Sequence, residues 1–384
     1  MKNTIYMDYA ATAPVLPEVL EEMLPFFTEK YGNPSGVYGT GREARQAVEK
    51  ARRQVAEAIG AEPREIIFTS GGSESDNLAI QGTAFALRDR GRHLITSRIE
   101  HHAVLNACRR MEEQGWRVSY APADREGRIR PERVAELIGE DTVLVSVMAA
   151  NNEIGTLEPV ADIGRTVRGK GVLFHTDAVQ AAGAVPIDVN GMNVDLLSLS
   201  AHKFHGPKGT GALYVRRGTR IDGLIRGGAQ ERSLRAGTEN VAGIVGMGKA
   251  MEIAVRDMAE NTVRIRRLRD MLIRGIRECV PDAVLNGPEE DRLPGNCHFS
   301  FPGADGEALL LRLDLAGIAA SGGSACTSGS PEVSHVLEGI GLEEGLAKSG
   351  IRLTLGREST EDEVRRVLEV LPEIVRDLRK GTGS

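Results

Sequence analysis

The sequence predicts an α/β protein: a main domain built on a mostly parallel β-sheet covered by helices, followed by a smaller α+β region. Short apolar runs rich in Val, Ile and Leu recur along the first part of the chain, and most are followed by a helix-like segment. Such runs are typical of strands buried on both faces of a parallel sheet. The chain has 384 residues, 41% of them hydrophobic, which is enough for two or three domains and a large core.

In the main domain, five strand-like runs come before or between helix-like segments. The runs are EIIFTS, HLITSRIE, TVLVSVMAA, VLFHTD and VDLLSLS, and a sixth, GALYVRR, follows the last of them. The helix-like segments are GGSESDNLAIQGTAFALRDR, HHAVLNACRRMEEQG, PVADIGRTVRGKG and AVQAAG. Upstream of them, residues 41–60 carry apolar residues at helical spacing, which predicts a helix that faces the core.

The second region begins with a long, charged amphipathic helix, AVRDMAENTVRIRRLRDMLIRGIREC, that could link two domains. Two shorter strands, NCHFSF and GIRLTLG, and a helix, GEALLLRLDLAG, come after it. A final helix follows Thr360. Glu363 stands three residues further on, which is the spacing of a capping box.

Composition and charge exclude several classes of protein. The net charge of −6, without a basic stripe, argues against nucleic-acid binding. No apolar run approaches the ~18 residues of a membrane span. The N-terminal residues do not resemble a secretory signal, so the cytoplasm is the expected location. Four scattered cysteines without a C-x-x-C pair predict neither a disulfide framework nor a metal site.

Polar residues follow the predicted strands at the end where open parallel sheets bind ligands. They are Gly71, Gly72 and Ser73 after the first strand, His101 and His102 after the second, Asn151 and Asn152 after the third, Asp177 and Gln180 after the fourth, and His202 and Lys203 after the fifth. Each has an ordinary structural explanation by itself, such as a helix cap or a solvated loop charge. Together they supply a lysine, a carboxylate, an imidazole and a phosphate cradle, which are the groups that hold pyridoxal phosphate.

The chemistry of that cofactor requires each group. The lysine forms a Schiff base with the aldehyde and needs a neutral amine, which partial burial near other cations favours. The carboxylate keeps the pyridine nitrogen protonated, so that the ring can accept electrons from a carbanion. A flat side chain above the ring fixes its plane.

A series of motifs then extends this pattern over nearly the whole chain. In order, they are YMDYAATAPV, GNPSG, TSGGSESDNLAIQG, EHHAVLN, NNEIG, HTDAVQAAG, SLSAHKFHGPKG, RAGTEN and SGGSACTSGS. Together they closely resemble the cysteine desulfurases, in the class with a long cysteine loop that includes the nitrogen-fixation and iron–sulfur-cluster enzymes. The resemblance runs from Tyr6 to about Gly356.

The resemblance implies a fold-type-I pyridoxal-phosphate enzyme of the aspartate-aminotransferase-like architecture, with a seven-stranded type of sheet. Residues 16–259 would form the large cofactor-binding domain. Residues 1–15 and 260–384 would form a small domain that carries the cysteine loop. The implied reaction converts L-cysteine to L-alanine and keeps the sulfur as an enzyme persulfide, for iron–sulfur cluster assembly or another thio-cofactor pathway.

The resemblance also assigns roles to individual residues. Lys203 would bind the cofactor covalently, His101 would stack on the ring, and Asp177 would pair with the pyridinium nitrogen. Other cofactor contacts would come from Gly72, Ser73, Asn152, Gln180, Ser200 and His202. Thr238 would reach the phosphate of the neighbouring subunit, which implies a homodimer with shared active sites.

Three further residues are predicted to act on the substrate. The Gly- and Ser-rich sequence around Cys326 predicts an exposed, flexible loop, whereas Cys108, Cys279 and Cys297 fit the usual role of a small buried residue. A mobile thiol at Cys326 could attack the substrate sulfur and then pass it on. Arg352 would bind the substrate carboxylate, with a surface strand arginine as the alternative, and Asn33 would be a second contact, with a turn asparagine as the alternative.

Some alternatives remain open at this point. A selenocysteine lyase would use similar groups, while an aminotransferase would not need Cys326. A non-catalytic sulfur-relay subunit would not need the full set of site residues.

The sequence departs from the common family pattern at Ser73, where threonine is frequent, and at Tyr38, where histidine is frequent. The acceptor of the sulfur, which could be a cluster scaffold, a tRNA-thiolation protein or a nitrogenase-maturation protein, is not determined by the sequence.

Overall fold

The computed structural model describes residues 4–322 and 333–381. Within these ranges there are twelve strands: β1 (Ile5–Tyr6), β2 (Ile66–Thr69), β3 (His93–Ser97), β4 (Arg117–Ala121), β5 (Thr142–Ser146), β6 (Leu173–Asp177), β7 (Leu196–Ser200), β8 (Gly211–Val215), β9 (Val284–Leu285), β10 (Asn296–Ser300), β11 (Ile318–Ala319) and β12 (Gly350–Thr354).

Seven of these strands form one sheet in the order β2-β8-β7-β6-β5-β3-β4. Strands β7, β6, β5, β3 and β4 are parallel to one another, while β8 is antiparallel to both of its neighbours. The predicted mostly parallel sheet is thereby confirmed. The sequence did not predict the edge strand β4, because its residues are only partly buried and it lacks a continuous apolar run.

Thirteen α-helices lie in the described ranges, and none is long and apolar enough to cross a membrane. They are α1 (Pro17–Met23), α2 (Pro25–Thr28), α3 (Gly39–Ala58), α4 (Gly72–Asn77), α5 (Thr83–Leu87), α6 (His102–Glu113), α7 (Pro131–Leu137), α8 (Val160–Gly169), α9 (Val241–Cys279), α10 (Gly306–Leu315), α11 (His335–Gly339), α12 (Glu344–Ala347) and α13 (Glu361–Gly381). A π-helical turn, Leu78–Gly82, joins α4 to α5.

Several helix predictions are confirmed and one is wrong. The helices α3, α6, α8, α10 and α13 lie where the periodicity places them, and Thr360 and Glu363 form the expected capping box. The segment AVQAAG, residues 178–183, forms turns instead of a helix. Gly183 has a φ of 77°, which lies outside the helical region and prevents a helix from continuing there.

The large sheet is covered on both faces because alternate residues of each strand enter different hydrophobic clusters. Phe68, Val145 and Leu197 belong to one cluster, and Ile67, Leu144 and Leu196 belong to the other. The polar side chains inside the strands, such as those of Ser146, His175 and Ser198, are buried and hydrogen-bonded to one another, so the strand ends are where polar side chains can meet a ligand.

A separate core forms around the antiparallel sheet β12-β10-β9. It contains Met7 from the N-terminal segment, the second half of α9, and the inner faces of α10 and α13. Helix α9 contributes to this core and to the core of the large sheet, and it crosses residues 259 and 260 without a break. The domain division at that point therefore stays a prediction.

Two of the three cysteines assigned to the interior are buried, and one is not. Cys108 and Cys297 are buried, whereas Cys279 is exposed. Cys279 is the last residue of α9 and lies beside the buried stripe of Leu272, Ile276 and Val280, which explains why the prediction is wrong there.

A buried ion pair fixes the segment that follows β8 against the large sheet. The Arg52 guanidinium on α3 donates to both carboxylate oxygens of Glu231 at 2.7 Å, and the Phe68 amide donates to the same carboxylate at 2.9 Å. Glu231, Arg232 and Ser233 all have positive φ, of 42°, 56° and 65°. The ion pair therefore holds a backbone conformation that these residues rarely adopt.

Replacing Glu231 with Gln should lower the free energy of unfolding by about 3–5 kcal/mol, because Arg52 would lose its buried anion and keep only the exposed Glu49. Urea denaturation of the purified protein measures this change. The control is Glu22→Gln, which breaks the exposed pair between Glu22 and Lys50 next to the same helix and should cost no more than about 1 kcal/mol. Equal losses from the two substitutions would contradict the assigned role of the Arg52–Glu231 pair.

Candidate active site

The predicted site residues lie at the carboxyl ends of the parallel strands. Asp177 is the last residue of β6, Ser200 is the last residue of β7, and Lys203 ends a short 3-10 helix directly after it. His101 precedes α6 after β3, and Gly72 begins α4 after β2. The sheet thus brings groups distant in sequence to one edge.

The Asp177 carboxylate is buried beneath this edge. One of its oxygens accepts a hydrogen bond from the Val179 amide at 2.9 Å. Burial raises the pKa of Asp177 to about 6, and the Val179 hydrogen bond and the charge of Lys203 oppose the rise. At neutral pH the group is therefore an anion, held in a poorly solvated position.

His101 lies close to this carboxylate and is uncharged. Its Nδ1 accepts a hydrogen bond from the Ala103 amide at 3.1 Å, so the ring proton resides on Nε2. Burial, and then the positive charge of Lys203, lower the pKa of His101 to about 4. One ring nitrogen of His101 and one carboxylate oxygen from each of Asp76 and Asp177 lie within 4.8 Å of one another.

The N-terminal segment, residues 8–14, runs across the end of β7 and contacts the lysine. The Lys203 amine donates to the carbonyl oxygens of Ala10 at 2.6 Å and Ala11 at 2.9 Å. The Gln180 side-chain amide also donates to the Ala10 carbonyl, at 2.9 Å. His202 joins the same segment through a 3.1 Å contact between its Nδ1 and the Thr12 hydroxyl.

The turn between β2 and α4 is shaped to accept an anion. Gly71 has a φ of 154°, a conformation that is essentially restricted to glycine. A Cβ on Gly72 would lie 2.7 Å from a methyl group of Val179, so a larger residue there would have to displace that side chain. Ser200 closes one side of the turn, and Ser73 is exposed at the start of α4, where backbone amides point outward.

The two asparagines after β5 have different environments. Asn151 is buried, and its amide oxygen accepts from the amides of Glu153 and Ile154, so it stabilises the turn. The side-chain oxygen of Asn152 is buried and has no hydrogen-bond partner within the described ranges. It is an available acceptor, and the predicted cofactor contact of Asn152 stays a prediction.

Arg352 is buried in β12 and is not a surface arginine. Its guanidinium donates to the Asn152 carbonyl at 2.7 Å and to the Asp8 carboxylate at 2.9 Å. Its neighbours Ile351 and Leu353 point into the core around β10, as the alternation of the strand predicts. The guanidinium therefore lies between the N-terminal segment and the loop that carries Asn152.

Two of the predicted residues, Asn33 and Thr238, are exposed and are not brought into the site within this chain. Asn33 is exposed, and its side-chain oxygen accepts from the Ser35 amide at 2.9 Å, as in an Asx turn. Thr238 is exposed seven residues beyond Glu231. Cys326 lies outside the described residues.

Sequence reasoning missed the ionisable residues under and around the site. These are Asp8, which pairs with Arg352, and the buried Asp76, Glu100 and His175. An acidic residue within a strand-end motif, as in SESDN and RIEHH, was the available signal. It was weak, because exposed helix-start acids produce the same pattern.

These groups fit pyridoxal phosphate. A lysine amine, a buried carboxylate, a neutral imidazole and an unpartnered amide oxygen meet at the edge of the sheet, next to the glycine turn. In this arrangement Lys203 would hold the aldehyde carbon, Asp177 the ring nitrogen, and the Gly72 turn with Ser200 the phosphate.

Comparison with known proteins gives a consistent result. Residues 5–367 match the aminotransferase class-V family. The chain is 52% identical over 379 residues to the cysteine desulfurase IscS of Dictyoglomus turgidum, an alignment that covers 99% of this chain and 96% of that protein.

Solved structures resemble this fold over almost its full length. A NifS-like protein superposes with a TM-score of 0.92 at 42% identity, covering 98% of this chain and all of the other. The structure of SspA in complex with cysteine superposes with a TM-score of 0.83 at 38% identity, covering 93% of this chain and all of the other.

The charge of Lys203 should be measurable through His101. In Lys203→Ala, the pKa of His101 should rise above about 4, because the ammonium that disfavours the imidazolium is removed. NMR titration of the His101 ring carbons in the cofactor-free protein measures this change in pKa.

Lys208→Ala is the matched control for that titration. Lys208 lowers the pKa of His202 but is not among the charges that act on His101. This variant should raise the pKa of His202 and leave His101 unchanged. An unchanged His101 titration in Lys203→Ala would show that the lysine does not face the imidazole.

Proposed function

The chain belongs to the aminotransferase class-V family, and from that premise we propose that it is a pyridoxal-phosphate-dependent cysteine desulfurase. The enzyme converts L-cysteine to L-alanine and keeps the sulfur as a persulfide on Cys326. One observation carries this proposal: the Lys203 amine and the buried Asp177 carboxylate project from adjacent strand ends, next to the neutral ring of His101.

Each residue has a defined task in this reaction. Pyridoxal phosphate, when bound, supplies an electron sink for the electron pair left at Cα. Lys203 removes the Cα proton and later returns a proton to the product. Asp177 keeps the ring nitrogen protonated, and the uncharged His101, whose Nε2 carries the ring proton, can donate that proton to the carbon that loses the sulfur.

The sulfur-transfer step balances without an external oxidant or reductant. The Cys326 thiolate attacks the substrate sulfur, the carbon–sulfur bond breaks, and a sulfur–sulfur bond forms. The carbon takes up a proton and becomes the methyl group of alanine, and Cys326 becomes a persulfide. Cysteine plus enzyme thiol therefore give alanine plus enzyme persulfide.

Arg352 is the proposed anchor of the substrate carboxylate. A buried guanidinium presents a planar fork that matches a carboxylate. Asp8 already occupies one of its nitrogens, which holds the guanidinium in place beside Asn152. Asn33 remains a proposed second contact with the substrate.

A homodimer with shared active sites is part of the proposal. Six large apolar side chains on both sides of Asn33 in the sequence are exposed on the surface of the single chain: Leu20, Leu24, Phe27, Tyr31, Val37 and Tyr38. The anchored turn at Glu231 presents Thr238 to solvent in the single chain. A second copy that covers this surface would place Thr238 at the phosphate of its partner.

Sulfur leaving Cys326 would pass to an acceptor protein, with iron–sulfur cluster assembly as the proposed destination. The cytoplasm is the proposed location. Both proposals rest on the family resemblance.

Cys326→Ser tests the function directly. The variant should bind the cofactor and L-cysteine, seen as the cofactor's absorbance and its change on adding cysteine, but release no sulfide above background, because the hydroxyl is a poor nucleophile toward sulfur. Cys279→Ser removes the exposed cysteine of α9 and should keep full activity. Full sulfide release by Cys326→Ser would contradict the assigned nucleophile.

Mixing two inactive variants tests the shared site. Lys203→Ala lacks the lysine, and Thr238→Glu places a negative charge where the partner's phosphate should bind. Random mixing of equal amounts should make about half of the dimers hybrids, and each hybrid would have one of its two sites intact. The mixture should therefore show about a quarter of wild-type activity. No recovery, with hybrids confirmed by native mass spectrometry, would mean that Thr238 does not serve the neighbouring site.

A further inference from the structure

A second carboxyl group lies beneath the site and has no role in the proposed reaction. Asp76 on α4 is almost completely buried, and its Oδ1 has no hydrogen-bond partner within the described ranges. This oxygen is 3.7 Å from His175 Nε2. Asp76 also lies within 4.8 Å of Asp177, counted between carboxylate oxygens.

His175 cannot balance a charge on Asp76. Its two ring nitrogens contact the Ser146 hydroxyl at 2.8 Å and the Ser198 hydroxyl at 2.9 Å. Burial lowers the pKa of His175 to about 3, so the ring is neutral at every pH at which the protein would work. The histidine is therefore a polar neighbour of Asp76 and not a counterion.

The remaining groups around Asp76 are the uncharged imidazole of His101, acids and hydroxyls. Asp177 faces it from β6, and Glu100 adds a third buried carboxyl. Burial raises the pKa of Asp76, and a hydrogen bond with the Ser198 side chain opposes part of that rise. Two buried carboxylates this close to each other cannot both be ionised without a cation between them.

The surroundings determine which of the three acids carries the charge. Asp177 has the Val179 amide and the field of Lys203, whereas Asp76 has neither. Glu100 accepts from the Ser97 hydroxyl at 2.5 Å and the Met148 amide at 3.0 Å, yet burial still raises its pKa to about 8. Asp177 is accordingly the group that ionises first.

We propose that Asp76 is a positioning residue that stays protonated at neutral pH and thereby leaves Asp177 as the single anion under the cofactor ring. Its hydroxyl can donate to the oxygens of Ser198 or Asp177, which would orient the Asp177 carboxylate. A negative charge on Asp76 would raise the pKa of Asp177. Asp177 would then tend to be protonated and could no longer act as the anionic partner of a protonated ring nitrogen. The identity of the bound ring rests on the proposed function; the protonation of Asp76 does not.

Infrared difference spectra of the cofactor-free protein at pH 7.5 test the protonation. Asp76→Asn should remove intensity from the C=O stretch of a protonated carboxylic acid and none from the carboxylate bands. Asp177→Asn is the matched contrast and should remove carboxylate intensity. Loss of a carboxylate band in Asp76→Asn would overturn the proposal.

A measurement on the unaltered chain covers the case in which the variant does not fold. With ¹³C-labelled aspartate, an aspartic acid signal must stay in its protonated position at pH 7.5, and its absence would overturn the proposal. Both measurements need no cofactor, so they are independent of the proposed function.

The consequence for the cofactor has its own readout. After reconstitution with cofactor labelled with ¹⁵N in the ring, the nitrogen should be protonated over the same pH range in Asp76→Asn as in the wild type, because one neutral group replaces another. A downward shift of that range in Asp76→Asn would mean that Asp76 carries a charge, and would contradict the proposal. Failure of the wild-type protein to bind the cofactor would count against the proposed function alone.

Discussion

The architecture of the site depends on one buried anion, the Asp177 carboxylate at the end of β6. A carboxylate in such a position is unfavourable unless nearby groups stabilise it. In this chain the compensation comes from the Val179 amide and the charge of Lys203, which the end of the neighbouring strand supplies. Burial, and then the same positive charge, keep His101 neutral, so burial and Lys203 act together on both groups.

The N-terminal segment makes this arrangement dependent on the whole chain. Residues 10 and 11 hold the lysine through their carbonyl oxygens, and Asp8 holds Arg352. Met7, next to them, is packed in the core around β10. The segment therefore connects the core of the smaller sheet to the reactive end of the large sheet. A displacement of that core would also displace the groups that hold Lys203 and Arg352.

The sequence predicted most of the fold because burial on both faces of a parallel sheet leaves a strong pattern of apolar runs. It missed β4, whose exposure weakens that pattern, and it predicted a helix at residues 178–183, which form turns ending at Gly183. Cys279 was assigned to the interior from its helix, but one step around the helix axis places it outside. The errors at β4 and Cys279 occur where the outcome depends on the facing surface and not on local residues.

The sequence by itself determined the chemical groups of the site and the edge of the sheet at which they meet, because strand ends are encoded by local pattern. Only the tertiary structure decided which of those groups are charged. Asp76, Glu100 and Asp177 are the same kind of acid in the sequence, and they differ because burial, amide donors and the position of Lys203 differ around each of them. Protonation in a buried site is a property of three-dimensional surroundings, which the order of residues does not specify.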